Sequence, residues 1–308
     1  MSSKILITGA SGFIGNAVTA ALARAGYRVR AASRQPGTAA GLPDVEWVRL
    51  PDLTSEFEWA PLLDGVDIVI HLAGIAHRGG KETSGYDKVN RAATARLARA
   101  CVGRGIKRLI FMSSIGAQAG SAADTVVTEN QELMPATAYD RSKLATEEEV
   151  RGAGVPFTIL RPVLVYGPGA KANIALMVRL ASLPVPLPFG ALKTRRSLLS
   201  IDNLTSALIF CIETPATVDR TFIVSDPRPI GLSDMIATLR DAAGRAPLLF
   251  PFPPAVFKAL LLALGKRPLW DRLGRDLVAS SAELQALGWV PPVETEEGLR
   301  QMMQASVR

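Results

Sequence analysis

Between Lys4 and Gly15 the chain reads Lys-Ile-Leu-Ile-Thr-Gly-Ala-Ser-Gly-Phe-Ile-Gly. Ile5, Leu6 and Ile7 make a run of the buried-strand type, and Asn16 to Ala25 reads as a helix. Gly9, Gly12 and Gly15 stand between the two. Strand, glycine turn and helix in this order form a dinucleotide site. Glycine lets the turn take positive φ and lets backbone approach a pyrophosphate. The amides at the helix start, around Ser11, Phe13 and Ile14, then face that anion, helped by the helix dipole.

The rest of the chain has to supply a sheet for this turn. Its 308 residues are enough for one large α/β domain or two unequal ones, and a hydrophobic content of 48% allows a sizeable core. The net charge of +7 suits an anionic partner. The basic residues are scattered and aromatics make up only 6%, so no stripe for stacking bases is visible and nucleic acid is not expected. An anionic cofactor and substrate explain the charge more simply. Cys101 and Cys211 each sit in an apolar helix-like run and read as buried thiols. Two lone cysteines with His71 and His77 cannot build a zinc cage, so no metal is expected. The first strand starts at about residue 4, which leaves no room for a signal peptide. The apolar run Ala255 to Leu264 contains Lys258, is too short to span a bilayer and reads as a buried or interface helix. A soluble cytoplasmic protein with no membrane span is the expectation.

Tyr27 to Ser33 reads as a second strand. An NAD-preferring site usually places an acid at its end for the adenosine ribose hydroxyls, but here the chain reads Ser33-Arg34. Arg34 can meet a 2′-phosphate, so NADP is expected ahead of NAD. Val45 to Leu50 is a third strand, followed by Asp52. Val66 to Gly74 is a fourth, ending in Leu72-Ala73-Gly74, small enough for a cofactor to lie against the strand end. Val89-Asn90 opens a helix to about Gly103, and Lys107 to Ser113 is a fifth strand followed by Ser114. Phe157 to Arg161 is a sixth. Further on come a turn at Tyr166 to Gly169, a helix from about Asn173 to Leu183, and a short strand from Arg195 leading to a helix capped by Asp202. Thr221 to Ser225 is another strand, Ser233 can cap the helix after it, and a last helix starts at about Thr295. The expected fold is α/β, a Rossmann-type doubly wound parallel sheet with a smaller C-terminal substrate-binding region. Residues 1–166 are expected to form the NAD(P)-binding domain, with 199–226 returning to it. Residues 167–198 and 227–308 form the smaller region.

Tyr139 and Lys143 lie four residues apart on a helix-like segment and share a face. A free phenol titrates near ~10, and a nearby ammonium is expected to lower that value. Tyr139 can then exchange a proton with a substrate oxygen while hydride passes to or from a nicotinamide, with Lys143 also on the nicotinamide ribose. Ser114, at the neighbouring strand end, can hold the same oxygen.

The motifs Thr8 to Gly15, His71 to Gly74, Val89-Asn90, Ser113-Ser114, Tyr139-Asp-Arg-Ser-Lys143 and Arg161 to Gly169 run nearly end to end. Together they resemble the extended short-chain dehydrogenase/reductase family, especially its bacterial NAD(P)-dependent sugar epimerase/dehydratase group. The resemblance implies Ser114, Tyr139 and Lys143 as the catalytic set and Asn90 as the structural asparagine at the cofactor site. It implies Asp52 and Leu53 flanking the adenine, and Arg196 on the diphosphate of a nucleotide sugar with Arg272 as a second such arginine. A homodimer is also implied. Two departures stand out. Leu164 replaces an asparagine often found before the Tyr-Gly-Pro turn, and Asn173 is the substitute on the substrate side. The family's 4,6-dehydratases carry an Asp-Glu pair after the catalytic Ser or Thr; here Ile115-Gly116 stands there, so water elimination has no catalyst. The stretches Gly167 to Asn173 and Arg195 to Leu204 resemble a subgroup of bacterial 4-ketoreductases. These reduce a 4-keto-6-deoxy UDP-N-acetylhexosamine to UDP-N-acetylquinovosamine for surface polysaccharide, and their relatives often carry the name UDP-glucose 4-epimerase. The expected function is that 4-keto reduction, with a UDP-sugar 4-epimerase as the alternative. A non-catalytic dinucleotide-binding subunit is a second alternative, opposed by the presence of all three catalytic residues.

Overall fold

Ile5, Leu6 and Ile7 are fully buried at the middle of β1 (Lys4–Thr8), the strand around which the sheet is arranged. The computed structural model describes residues 3–39, 41–75, 86–171 and 173–307. His77 lies outside them. After the glycine turn comes α1 (Phe13–Arg24), then β2 (Arg28–Ser33), β3 (Val45–Arg49) and β4 (Ile68–His71). A π-helical turn, Asp87–Ala92, runs into α2 (Ala93–Cys101). Then follow β5 (Arg108–Met112), α3 (Ala138–Arg151) and β6 (Phe157–Pro162). The second half holds β7 (Leu164–Tyr166), α4 (Asn173–Ala181), β8 (Arg195–Arg196), β9 (Leu198–Ser200) and α5 (Ile201–Glu213). It continues with β10 (Arg220–Val224), β11 (Ile230–Gly231), α6 (Leu232–Ala242), α7 (Pro254–Ala263) and α8 (Thr295–Val307), with short helices between.

The main sheet has seven strands in the order β10-β6-β5-β4-β1-β2-β3. The strands from β1 to β6 pair in parallel. At β10 the Asp219 amide donates to the Phe157 carbonyl, and five residues on the Val163 amide donates to Val224, which runs in the same direction. The order reverses between β1 and β4, and in such sheets the ligand crevice opens at the carboxyl ends beside that switch point. Buried on both faces, β1, β4 and β5 read as continuous apolar runs rather than alternating ones. The edge strand β3 is half exposed, and its Glu46 pairs with Lys4 and Arg30.

The chain divides into two compact units, one of residues 1–120, 132–161 and 207–222, the other of 121–131, 162–206 and 223–308. The first has a core around Leu6, Val69, Leu97, Leu109 and Ile159. The second has one around Tyr166, Leu198, Met235, Leu299 and Met303. In the second, the Tyr166 hydroxyl donates to Asp226 (2.8 Å), and Asp226 also accepts from the Ser200 amide and Asn203.

Three local expectations are corrected. Asp202 lies inside the first turn of α5, and it is the Ser200 hydroxyl that accepts from the Asn203 amide three residues on. Ser233 also lies inside its helix; Gly231 occupies the cap position of α6 and the buried Ser233 hydroxyl has no partner. The apolar run at 255–264 forms α7 as expected, but it is not buried: only Leu261 of its residues is. No helix of the described residues is long and apolar enough to cross a membrane.

Candidate active site

The carboxyl ends of β1, β4 and β5 carry the turns that sequence reasoning singles out. At β1, Gly9 has φ +74°, a region that glycine enters at no steric cost. A Cβ there would also sit 2.8 Å from the Ala73 amide nitrogen, in the turn after β4. At Gly15 a Cβ would run into the carbonyl of Gly9 and lie 2.8 Å from Ala10 backbone. The glycines therefore let two backbone turns and the start of α1 close on one another. Gly12 caps α1 without a side chain, and the first turn, with Phe13 and Ile14, holds no acid. The positive end of the helix thus faces outward with unmatched amides, as an anion site requires. This bare cradle fits the pyrophosphate of a dinucleotide.

At β4, Leu72, Ala73 and Gly74 form the expected small turn. Asn90 holds it: its Oδ1 accepts from the Ile75 amide (2.8 Å) and its Nδ2 donates to the Ile75 carbonyl (3.1 Å). Both polar atoms of this buried side chain are spent on backbone, so Asn90 shapes the turn after β4 rather than reaching out of it. His71 bridges Thr8 (2.7 Å) and Thr94 (2.9 Å), and burial pushes its imidazole down to about 3, so it stays neutral.

At the ends of β2 and β3 lies a cavity of about 610 Å³ lined by Ser11, Arg34, Gln35, Arg49, Leu50, Pro51 and Asp52. Ser33 faces away from it: the hydroxyl is buried, donates to the Gln35 carbonyl (2.5 Å) and accepts from the Trp47 indole (3.0 Å). Arg34 remains as the expected cation. Asp52 is fully exposed and its carboxylate is taken by the Thr54 amide and hydroxyl, which hold it below its usual value. Leu53 points into the core of the first unit. Arg49 is the residue that sequence reading misses. The parallel register sets it opposite Ser33, one residue before Arg34, and both arginines line the cavity.

At β5, Ser114 is half buried and its hydroxyl accepts from the Gly116 amide (3.1 Å). Beside it α3 begins with a capping box: Thr137 and Asp140 exchange side-chain and amide bonds. Tyr139, Lys143 and Glu147 follow on successive turns. Lys143 is buried, donates to the Met112 carbonyl (2.8 Å) and lies 4.8 Å from the centre of the Phe111 ring. Burial lowers its ammonium to about 8. Tyr139 packs edge-on against Tyr86 at 5.8 Å. Here the expectation reverses: burial, then the Asp140 carboxylate and Tyr86, push the phenol up to about 12. Both groups are therefore protonated at neutral pH.

Two features around this cluster are not visible in the sequence. The Asp140 carboxylate lies against the Cα of Gly116, where a Cβ would collide with it and sit 3.3 Å from Ser114 Oγ. Position 116 thus has no room for the acid that a dehydratase would carry. Below, Glu147 is fully buried and accepts from Ser113 (2.5 Å), from Arg161 Nε (2.9 Å) and Nη2 (2.5 Å), and from Arg151 (2.9 Å). Arg161 also donates to Gln118.

In the second unit, Arg195 is exposed and Arg196 half buried, as alternation along β8 requires. Arg196 donates to the carbonyls of Arg272 (2.9 Å), Arg275 (3.2 Å) and Ser121 (3.0 Å). Burial and the nearby Arg272 guanidinium lower it to about 10. The partner of Arg196 is thus Arg272, not Arg195. Asn173 is exposed at the start of α4. Among the described residues no cluster of His, Cys, Asp and Glu could hold a metal ion. Cys101 and Cys211 are buried, and burial pushes both thiols up to about 12.

Comparisons with known proteins bear on the family and the fold. A UDP-glucose 4-epimerase of Vibrio cholerae is 32% identical over 317 residues, covering 99% of this chain and 96% of that protein. A ceramide reductase of Caulobacter vibrioides is 29% identical over 212 residues, covering 68% and 61%. The crystal structure of UDP-glucuronic acid 4-epimerase from Bacillus cereus in complex with NAD shares the fold, with a TM-score of 0.77, 98% of each chain covered and 21% identity. The model of the NAD dependent epimerase/dehydratase family matches residues 5–224. That span runs from β1 through β10 and takes in the glycine turn, Ser114, Tyr139 and Lys143, and the chain belongs to this family.

Proposed function

We propose that the protein is an NADP-dependent nucleotide-sugar oxidoreductase that reduces the 4-keto group of a UDP-4-keto-6-deoxy-N-acetylhexosamine. The observation that carries this reading is the cavity lined by Arg34 and Arg49, with no carboxylate at the end of β2. Two guanidiniums suit a 2′-phosphate, and cells hold NADP mostly reduced, which favours net reduction over an internally recycled cofactor. A nicotinamide cofactor, when bound, would supply the hydride for the carbonyl carbon. Tyr139 gives its phenolic proton to the carbonyl oxygen, and the phenol held near 12 is in the form that can do so. Lys143 places a positive charge beside the phenolate that remains, and Ser114 fixes the oxygen by a hydrogen bond. Arg196, pinned by three carbonyls, and Arg272 hold the diphosphate. Gly9, Ser11, Gly12, Phe13, Ile14 and Gly15 carry the cofactor pyrophosphate, and Leu72 to Gly74 its neighbouring face.

The Vibrio cholerae relative supports a second reading, a UDP-sugar 4-epimerase, for which the same three residues serve in both directions. The test mixes the purified protein with the 4-keto sugar nucleotide and NADPH and follows absorbance of the reduced nicotinamide. Stoichiometric loss of NADPH is expected, and Tyr139→Phe should reduce turnover more than about tenfold while cofactor binding stays near wild type. No oxidation of NADPH or NADH, with interconversion of UDP-glucose and UDP-galactose, would transfer the protein to the epimerase reading.

A further inference from the structure

The second unit carries an apolar surface that the chemistry above does not use. In α7, Phe257 packs on Phe189 and Phe252 with ring centres 6.1 and 6.2 Å apart, and Leu261 is buried. These anchor one side of the helix. Val256, Leu260 and Leu264, spaced four residues apart, are 52%, 52% and 60% exposed on another side. The helix ends in a Schellman closure: Gly265 has φ +67° and the Lys266 amide donates to the Leu261 carbonyl. Leu248 and Phe250, in the stretch paired with Leu187, are exposed as well. Arg240, buried and bonded to the carbonyls of Leu183, Val185 and Ala246, ties this stretch down, so the apolar side chains stand on fixed backbone.

Along the chain, the charges from α7 through its flanks have one sign. No acidic residue occurs between Asp241 and Asp271. Arg245, Lys258, Lys266 and Arg267 are all exposed, and among the described residues none of them forms an ion pair. Soluble monomers scatter their exposed apolar residues; a contiguous set marks a docking surface. With ten residues α7 is about 15 Å long, half of what a bilayer core needs, so it cannot cross one.

We propose that α7 and its flanks seat the protein on the surface of an anionic phospholipid bilayer. The helix lies in the interface plane with Val256, Leu260 and Leu264 toward the acyl chains and the four cations toward the headgroups. A two-fold contact with a second copy would set this positive patch against itself, which disfavours that occupant.

The test is co-sedimentation of the purified full chain with vesicles of phosphatidylcholine alone or mixed with phosphatidylglycerol. Binding to the mixed vesicles should exceed binding to the neutral ones by about tenfold and fall as salt is raised. Leu260→Glu with Leu264→Glu should abolish it, and Lys258→Glu with Lys266→Glu should weaken it at least as much as salt does. Thermal midpoints of both variants should stay close to the wild type, because Leu260 and Leu264 are more than half exposed and Lys258 and Lys266 are exposed. Absence of binding to mixed vesicles, or equal binding by wild type and variants, would overturn the proposal. So would a wild-type dimer that Leu260→Glu converts to a monomer without any vesicle binding, since the face would then belong to a second copy.

Discussion

At the scale of single residues, the cofactor's phosphate end offers the sharpest prediction. Arg34→Ala and Arg49→Ala should each weaken NADPH binding by about 1.5–3 kcal/mol and leave NADH binding nearly unchanged, measured by titration. Equal weakening of both cofactors would remove the 2′-phosphate assignment. Arg34 is legible in the sequence because it follows a recognisable strand. Arg49 is not, because its place depends on β3 pairing with β2 in a register that sets Arg49 beside Ser33. The same holds for Ser33, whose hydroxyl is consumed by Trp47 and the Gln35 carbonyl, partners supplied only by the fold. The glycines were readable, since positive φ and close backbone approach leave one residue type. Gly116 was readable only as a missing acid. The structure adds the reason: the Asp140 carboxylate fills the space in which a side chain there would begin.

At the scale of elements, α3 does the most. Its Lys143 and Glu147, one turn apart, grip consecutive residues at the end of β5, the Met112 carbonyl and the Ser113 hydroxyl. Ser114 comes next in the chain and is therefore held from beneath. Glu147→Gln should cost about 3–5 kcal/mol in urea unfolding, because it leaves the Arg161 guanidinium, only 4% exposed, without its countercharge. A loss below about 1 kcal/mol would mean that Gln118 and the backbone satisfy Arg161 without the carboxylate. That Tyr139 and Lys143 share one helix could be read from their spacing alone. Glu147 could not, since a glutamate late in a polar helix reads as solvated until β6 brings Arg161 to it. Which side of α7 is covered could not be read for a related reason. A run that is apolar all round has no periodicity to say which face is inside, and its neighbours here cover only Phe257 and Leu261.

At the scale of the whole molecule, a parallel doubly wound sheet follows from the alternation of apolar runs and helices, but the order of its seven strands does not. A prediction at this scale concerns acid stability. The buried His71 holds its imidazole near 3, while the unfolded chain binds a proton near 6.5. As pH falls below ~6.5 the unfolded state gains a proton that the native state refuses, so stability drops by about 1.4 kcal/mol per pH unit until the native imidazole titrates. Between pH 7 and 5 the wild type should lose about 2 kcal/mol more than His71→Gln in urea unfolding. Parallel losses in the two proteins would show that His71 titrates alike in both states. The division into units has a consequence for synthesis. The chain passes from one unit to the other at 120/121, 131/132, 161/162, 206/207 and 222/223. During translation the strands β1 to β6 have all been made by about residue 162, but β10, which covers the outer edge of β6, is not made until residues 220–224. Over that interval a nascent chain displays a bare, apolar strand edge, so the demand for chaperones is concentrated there, and premature termination inside it releases a species prone to pair with its own kind.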